Sequence, residues 1–249
     1  MLKSFADRQH ITYPLLSDTD SRVIRAYNIL DETTKPGTPT YGIPYPGVYV
    51  VDVEGRVVSK YFEDGYQDRV SAADILARLF RASLHAARGA AETKHLQITT
   101  AASNDIARPG LRIALSLDIE LKPGMHVYAP GVQGYIPIDW RLDEAGPAAK
   151  QHSFEYPPSK MLRLEAIGET VPVYRGHIQI RREITFGQEA VLKPLVTPTG
   201  EVIVKGSFHY QACDDRKCYV PEAVPLLWRF KYEGLDRQRA PSEFQRRPN

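Results

Sequence analysis

The chain has 249 residues, of which 43% are hydrophobic and 10% aromatic, and its 32 basic residues nearly balance 30 acidic ones. This composition excludes a wholly disordered or collagen-like chain and is typical of one large or two ordinary globular domains. The net charge of +2 excludes a broad basic surface for nucleic acid or for an anionic membrane, and no apolar run approaches the roughly 18 residues needed to insert into a bilayer.

The first part of the chain is predicted to mix helices and strands. This prediction rests on apolar residues at helical spacing, on capping residues at 17–21 and on two β-branched runs joined by a turn. A Gly/Pro-rich loop over 36–46 precedes the two β-branched runs. The predicted order is helix, strand, helix, strand, strand and helix, at residues 2–10, 12–16, 23–27, 47–52, 56–62 and 71–87.

The pattern changes to strands after a small, polar linker predicted over 88–95. Alternation of apolar and polar residues is clear from Leu111 to Ile119, and turn residues separate the runs. The predicted strands are 96–100, 111–120, 126–128, 136–142, 177–184, 201–208 and 224–230. Together they predict an all-β sandwich over 96–234, and the Pro- and Arg-rich residues 235–249 are predicted to be a disordered basic tail.

The two cysteines of the chain, Cys213 and Cys218, lie between the last two predicted strands. They would flank a hairpin tip, where two residues approach closely enough for a disulfide. Such a pair could be a structural staple, although closing so short a loop removes only about 2 kcal/mol of unfolded-state entropy. It could equally be a redox pair open to thiolate attack. A metal site that adds His209 is a weaker alternative, because it supplies three ligands only.

Residues 1–85 resemble the C-terminal half of the thioredoxin-like redoxin and peroxiredoxin family. The resemblance rests on "ITYPLLSDTDSRVIRAYNIL" and "YGIPYPGVYVVDVEGRVVSKYF", and it implies an incomplete thioredoxin-like α/β segment over 1–87. In this family a cis-proline precedes the strand that leads to an Asp-x-x-Gly turn, which makes Pro46 the candidate. The catalytic cysteine of the family lies upstream of this part, and no cysteine precedes Cys213. No peroxidase activity is therefore expected from this chain alone.

The stretch "FHYQACDDRKCYVPEAVPL" resembles the active-site signature of the N-terminal, immunoglobulin-like domain of the thiol:disulfide interchange protein DsbD, or disulfide bond corrector, family. The resemblance covers about residues 96–232. In "LKPGMHVYAP", Tyr128 matches an aromatic position near the family's disulfide, and His126 stands where other members have a tyrosine. The residues that match the signature are Tyr210, Gln211, Cys213, Cys218, Pro221 and Glu222, and those at the place of the family's cap are Val171, Pro172, Val173 and Tyr174.

The two resemblances together imply an α+β chain of two domains, an incomplete thioredoxin-like segment followed by an all-β immunoglobulin-like sandwich. They imply thiol-disulfide oxidoreductase activity at Cys213 and Cys218 without a cofactor or a metal. The expected partners are thioredoxin-like proteins or a membrane electron-transfer hub, with no nucleic acid. Residues 1–10 are too polar for a secretory signal, but the family implies a periplasmic or otherwise extracytoplasmic location. The alternatives are a binding or structural sandwich with a permanent disulfide, and a fragment of a peroxiredoxin-type peroxidase.

Overall fold

The computed structural model describes residues 2–38, 41–63, 69–80, 84–143, 148–152, 154, 156–164 and 168–237. The chain divides into two compact units, of which the first comprises residues 1–66 and 235–249 and the second residues 67–234. From residue 238 onward, the tail predicted to be disordered lies outside the described residues.

The first unit contains two short helices and one antiparallel strand pair. These are α1 (Leu2–Arg8), α2 (Arg22–Ala26), β1 (Gly47–Val51) and β2 (Val57–Phe62). Each corresponds to a predicted element, and the Asp18 carboxylate accepts the backbone N–H of Ile24 at 2.8 Å near the start of α2. The turn between the strands is closed by Asp52, whose carboxylate accepts the N–H of Arg56 at 2.9 Å.

Two predictions for this unit differ from the structure. Residues 12–16 form no strand, and Leu16 is 90% exposed, because the apolar run has no paired neighbour to bury it. The candidate cis-proline is not observed either. No cis peptide bond occurs among the described residues, so the Tyr45–Pro46 bond is trans.

The second unit is built mainly from strands. It begins with β3 (Arg69–Val70) and the amphipathic helix α3 (Ala72–Phe80), and a short helix α4 (Glu189–Leu192) lies between two later strands. The remaining strands are β4 (Ala86–Glu92), β5 (Leu96–Ala102), β6 (Ile106–Ala107), β7 (Leu111–Leu121), β8 (His126–Tyr128), β9 (Asp139–Leu142), β10 (Ala149–Gln151), β11 (Lys160–Leu164), β12 (Glu169–Tyr174), β13 (His177–Phe186), β14 (Glu201–Tyr210), β15 (Ala212–Cys213) and β16 (Glu222–Tyr232).

These strands form one six-stranded sheet and two four-stranded sheets. The first sheet has the order β10-β13-β7-β5-β4, with β3 parallel to β7, and the second has the order β6-β16-β14-β9. The third sheet has the order β11-β12-β8-β15. All neighbours along these orders are antiparallel except β6 and β16. Long antiparallel ladders of this kind give one buried and one exposed face per strand.

The core lies between the first two sheets. Alternate residues of β16, from Val224 to Phe230, are buried. Trp228 donates its indole N–H to the carbonyl of Ala101 at 3.1 Å across the core, and the rings of Phe186 and Phe230 are 5.2 Å apart. Because side chains from both inner faces interdigitate in one cluster, the second unit is a β-sandwich, as the sequence predicted.

The start of this unit differs from the predicted linker. Residues 86–92 form β4, which pairs with β5, and Leu84 is buried against Ala101 and Ala114. At Gly89 an added Cβ would lie 2.8 Å from Thr100 Oγ1, so the small residues that look like a linker permit close strand packing. The predicted helix over 71–87 ends by Phe80, and residues 81–83 lie outside the described residues.

Gly206 provides a test of how tightly the sandwich is packed. Gly206 pairs with Leu142 on β9, and an added Cβ would lie 2.5 Å from the carbonyl oxygen of Arg141. We expect Gly206→Ala to lower the free energy of unfolding by about 1–3 kcal/mol through overpacking. Urea unfolding followed by tryptophan fluorescence measures this, because both tryptophans lie in the sandwich core. Gly234→Ala is the matched control, since the nearest atom to its Cβ is at 3.5 Å; an equal loss in both variants would contradict the explanation.

Candidate functional site

The two cysteines lie in the connection between β14 and β16, as predicted, but this connection leaves their sheet. The two strands pair as far as Tyr210 and Glu222. The chain then turns away, and β15 adds to the edge of the third sheet beside β8. In this ladder Cys213 lies opposite His126. The first cysteine is therefore part of a different sheet from the strands on either side of it.

Cys213 and Cys218 form a disulfide with Cα atoms 4.0 Å apart. The two halves of this bond have opposite environments. Cys213 is 1% exposed and packs with Tyr128, Val171 and Val173, whereas Cys218 is exposed. The Tyr128 hydroxyl lies 3.6 Å from Cys218 Sγ. Cys213 is thus shielded, and Cys218 is the cysteine that an incoming thiol can reach.

Asp214 organises the turn inside the disulfide ring. Its carboxylate accepts the backbone N–H groups of Arg216 at 2.7 Å and Lys217 at 2.8 Å, and the hydroxyl of Tyr219 donates to it at 2.8 Å. These hydrogen bonds, led by the one from Arg216, lower the pKa of Asp214 from 3.8 to about 2. Asp214 is therefore the charged residue of the loop whose side chain stabilises the turn.

An open cleft of about 350 Å³ borders the disulfide. Tyr135 stacks on Tyr128 with ring centroids 4.4 Å apart, and its hydroxyl donates to Glu169 at 2.7 Å. This hydrogen bond is the main reason why the pKa of Tyr135 is raised to about 12. Leu162 and Leu164 of β11 line the cleft as well. The lining of the cleft therefore combines apolar and aromatic side chains with Arg163 and the charged loop residues 214–217, and it includes Cys218.

The residues predicted to form a cap lie in a strand. Val171, Pro172, Val173 and Tyr174 belong to β12, a strand between β8 and β11 in which Val173 pairs with Tyr128. The side chains of Val171 and Val173 pack with Cys213, and the cleft lining includes Tyr135, Leu162 and Leu164. Sequence reasoning missed these three residues. The alternation of Leu162 and Leu164 is a strand signal that could have found two of them.

Three further signature residues hold the ends of the loop, and a fourth lies exposed there. Gln211 donates its side-chain amide to the carbonyl of Tyr219 at 2.9 Å, and the buried hydroxyl of Tyr210 is hydrogen-bonded to Thr93 at 2.8 Å. Burial raises the pKa of Tyr210 to about 12. Glu222 lies 3.4 Å from the ring of His95, and Pro221 lies exposed at the end of the loop. These contacts fix the loop on the sandwich.

The histidines near the signature have separate positions. His126 is 1% exposed beside Tyr128, with ring centroids 5.6 Å apart, and its pKa is lowered mainly by burial. His209 is hydrogen-bonded to Ser207 at 2.8 Å and lines a cleft that does not include the cysteines. In the described parts of the chain, no group of three or more His, Cys, Asp or Glu residues could hold a metal ion. The structure thus does not bring the residues of the metal alternative together.

The fold and the site define a class of protein, an immunoglobulin-like β-sandwich that carries a thiol-disulfide interchange site. Residues 93–225 match the family described as thiol:disulfide interchange protein DsbD, N-terminal, and the chain belongs to this family. Residues 1–60 match the AhpC/TSA family. Both resemblances predicted from the sequence are thereby confirmed. In the chain, a redoxin-like segment is followed by a thiol-disulfide interchange module.

A solved structure similar to this chain is that of the N-terminal periplasmic domain of ScsB from Proteus mirabilis, with 13% sequence identity and a TM-score of 0.39. The match covers 58% of this chain and 51% of the other, so the chain spans about half the length of that structure. No curated protein matches the sequence. Within the described residues, no helix has the length and apolar character to span a membrane.

The low pKa of Asp214 predicts how the turn responds to acid. Because the folded-state pKa lies below the ordinary 3.8, the stability that Asp214 contributes is complete above about pH 4 and is lost as the pH falls towards 2. We expect the amide NMR signals of Arg216 and Lys217 to titrate with a midpoint near 2. Asp214→Asn should abolish this titration, and Asp215→Asn should leave it unchanged. A midpoint at the ordinary carboxyl value would show that the carboxylate does not hold the turn.

Proposed function

We propose that this chain passes reducing equivalents between a thioredoxin-like or membrane donor and oxidised protein thiols by disulfide exchange at Cys213 and Cys218. The observation that carries the proposal is the unequal burial of the two sulfurs. Cys218 is exposed and lines the cleft, while Cys213, which also borders the cleft, is 1% exposed. A disulfide with one accessible sulfur on a rigid sheet suits one-sided exchange through a mixed disulfide.

The exchange follows from this arrangement. A partner thiolate attacks Cys218 Sγ, the bond between the two cysteines breaks, and the electron pair goes to Cys213. A second partner thiol then releases the mixed disulfide and leaves the protein as a dithiol. In the opposite direction Cys218 attacks the disulfide of an acceptor and Cys213 resolves the product. Tyr128, with its hydroxyl 3.6 Å from Cys218 Sγ, can donate a hydrogen bond to a Cys218 thiolate.

The surroundings of Cys218 support a protein partner. Part of the cleft lining is apolar or aromatic, with Tyr135, Leu162 and Leu164, and Arg163 and the charged loop residues 214–217 complete it. Such a surface is typical of protein contacts, and a thioredoxin-like protein with its own cysteine pair supplies the required thiolate. Electron exchange between sulfurs needs no cofactor. A periplasmic or otherwise extracytoplasmic location fits this role, since disulfides persist in oxidising compartments.

The first unit is proposed to serve the module without thiol chemistry of its own. The chain has two cysteines, and both belong to the sandwich, so a nucleophile for peroxide reduction by a cysteine mechanism is not supplied by residues 1–66. We propose a redoxin-like segment followed by the sandwich as the domain organisation. The compact units divide near residue 66, before β3 pairs with β7.

The reduction potential separates exchange from a permanent staple. An exchanging pair should equilibrate with thioredoxin-like proteins, whose potentials run from about −270 to −120 mV, whereas structural bridges lie below about −300 mV. We expect a potential within the first range because Cys218 is exposed. Equilibration in thiol buffers with alkylation and mass spectrometry measures it. A folded protein that stays oxidised below about −300 mV would favour a binding sandwich with a structural disulfide.

The two single-cysteine variants provide a matched pair. Cys213→Ser leaves Cys218, and we expect it to displace thionitrobenzoate from a single-cysteine thioredoxin-like protein carried as its thionitrobenzoate mixed disulfide at least about tenfold faster than Cys218→Ser, which leaves the buried Cys213. Non-reducing gel electrophoresis over time gives both rates. In denaturant the two variants should react equally, which controls for intrinsic reactivity. Equal rates in the folded proteins would contradict the assignment of Cys218 as the cysteine that exchanges with the partner.

A further inference from the structure

His126 has a buried polar side chain, and no hydrogen bond in the described part of the chain explains why an imidazole is buried there. It is 1% exposed, and among the described residues neither ring nitrogen has a hydrogen-bond partner. Buried polar groups are almost always hydrogen-bonded in folded proteins, and an exception needs a reason. His126 is also one of the residues that line the cleft at the disulfide. An unsatisfied imidazole at this place suggests a partner that is available in another redox state.

The strand register identifies that partner. His126 lies directly opposite Cys213 in the antiparallel pair of β8 and β15, and side chains opposite each other point to the same face, with Cβ atoms about 4.5–5.5 Å apart. Tyr128, two residues along β8, shares this face and contacts the His126 ring edge-on. In the disulfide, the sulfur of Cys213 is bonded to Cys218 and has no proton. On reduction it becomes a thiol beside the unsatisfied imidazole.

We propose that His126 is the hydrogen-bond and proton partner of Cys213 when the disulfide opens and closes. The inference rests on the proposed exchange function and assigns a further residue to the same site. A thiol buried in apolar surroundings ionises reluctantly, and Tyr128, Val171 and Val173 form such surroundings for Cys213. Cys213, the resolving cysteine, therefore needs a base. The exposed Cys218 does not need one.

The resolving step balances as follows. The proton of the Cys213 thiol moves to a ring nitrogen of His126, and the sulfur attacks Cys218 Sγ in the mixed disulfide. The bond between the two cysteines forms, the bond from Cys218 to the partner breaks, and the electron pair leaves on the partner sulfur. That thiolate takes up a proton from solvent, while the imidazolium releases its own. When the disulfide is reduced instead, His126 first takes up a proton from solvent, and the same nitrogen passes it to the Cys213 thiolate.

The charges around His126 suit a base that is neutral at the start. Burial is the main cause of its lowered pKa, and the positive charge of Arg175 acts in the same direction. Asp214 and Asp215 of the disulfide loop oppose this shift, but Asp214 is hydrogen-bonded within its turn and Asp215 lies 3.4 Å from Arg175. The Tyr128 phenol, the other titratable group on this face, is held neutral by burial, which raises its pKa. An uncharged imidazole can accept a proton near neutral pH.

A two-phase thiol reaction of the full chain tests the proposal. The reduced protein is mixed with the aromatic disulfide DTNB in a stopped-flow instrument. The first release of thionitrobenzoate reports attack by Cys218, and the second reports attack by Cys213 on the mixed disulfide. In His126→Phe we expect the first rate to be unchanged and the second to fall at least about tenfold at neutral pH, since a general base contributes about 10²–10⁴-fold.

The pH profile separates proton transfer from packing. Between about pH 5 and 9, the wild-type second rate should level off once the imidazole is neutral, whereas that of His126→Phe should keep rising with thiol ionisation. His126→Gln, which can hydrogen-bond but not take the proton, should resemble His126→Phe. His209→Phe is the matched control and should resemble the wild type. A second rate in His126→Phe within about twofold of the wild type, with the same profile, would overturn the proposal.

Two further outcomes keep the test decisive. If the wild type itself shows no second release, the exchange function fails, and this differs from a failure confined to His126. If His126→Phe does not fold, the imidazole nitrogen NMR signals of the wild type are compared in the oxidised and reduced states. We expect a change at His126 on reduction as Cys213 becomes its hydrogen-bond partner, and unchanged signals would overturn the proposal.

Discussion

The site depends on one backbone pairing, that of β15 with β8. Without it, the connection between β14 and β16 would be an ordinary loop at the end of a hairpin, with both cysteines in similar surroundings. Pairing of Cys213 with His126 places the first sulfur inside a sheet, while the short ring returns the second to the surface. The unequal burial of the sulfurs, the position of His126 and the contact of Tyr128 with Cys218 all follow from this pairing.

The sandwich makes this pairing possible by fixing the strands around it. β14 and β16 are anchored in the core through large side chains such as Phe208 and Trp228, both fully buried. The ends of the loop are therefore held in place whether the disulfide is open or closed. Gln211 and Asp214 then shape the loop from inside. A redox site that must return to one geometry after each exchange benefits from support that does not include the disulfide itself.

Much of the architecture could be predicted from local patterns. Strands such as β13 and β14 alternate apolar and polar residues because one face is buried, and this period survives any tertiary arrangement. Predictions failed where local pattern and packing disagree. Residues 86–92 are small and polar enough to look like a linker, yet Gly89 allows them to pair closely with β5. Conversely, residues 12–16 have a strand-like composition but no strand beside them, and Leu16 remains exposed.

The sequence by itself determined the two cysteines, their position between two strands and the signature residues around them, since these depend on residue type and short spacing. Only the tertiary structure decided that Cys218 is the exposed sulfur and that Tyr135, Leu162 and Leu164 line the cleft. It also placed residues 171–174 within a supporting strand. The physical reason is that burial and hydrogen-bond satisfaction are set by strand pairing between distant segments, whereas residue type and spacing are local properties of the chain.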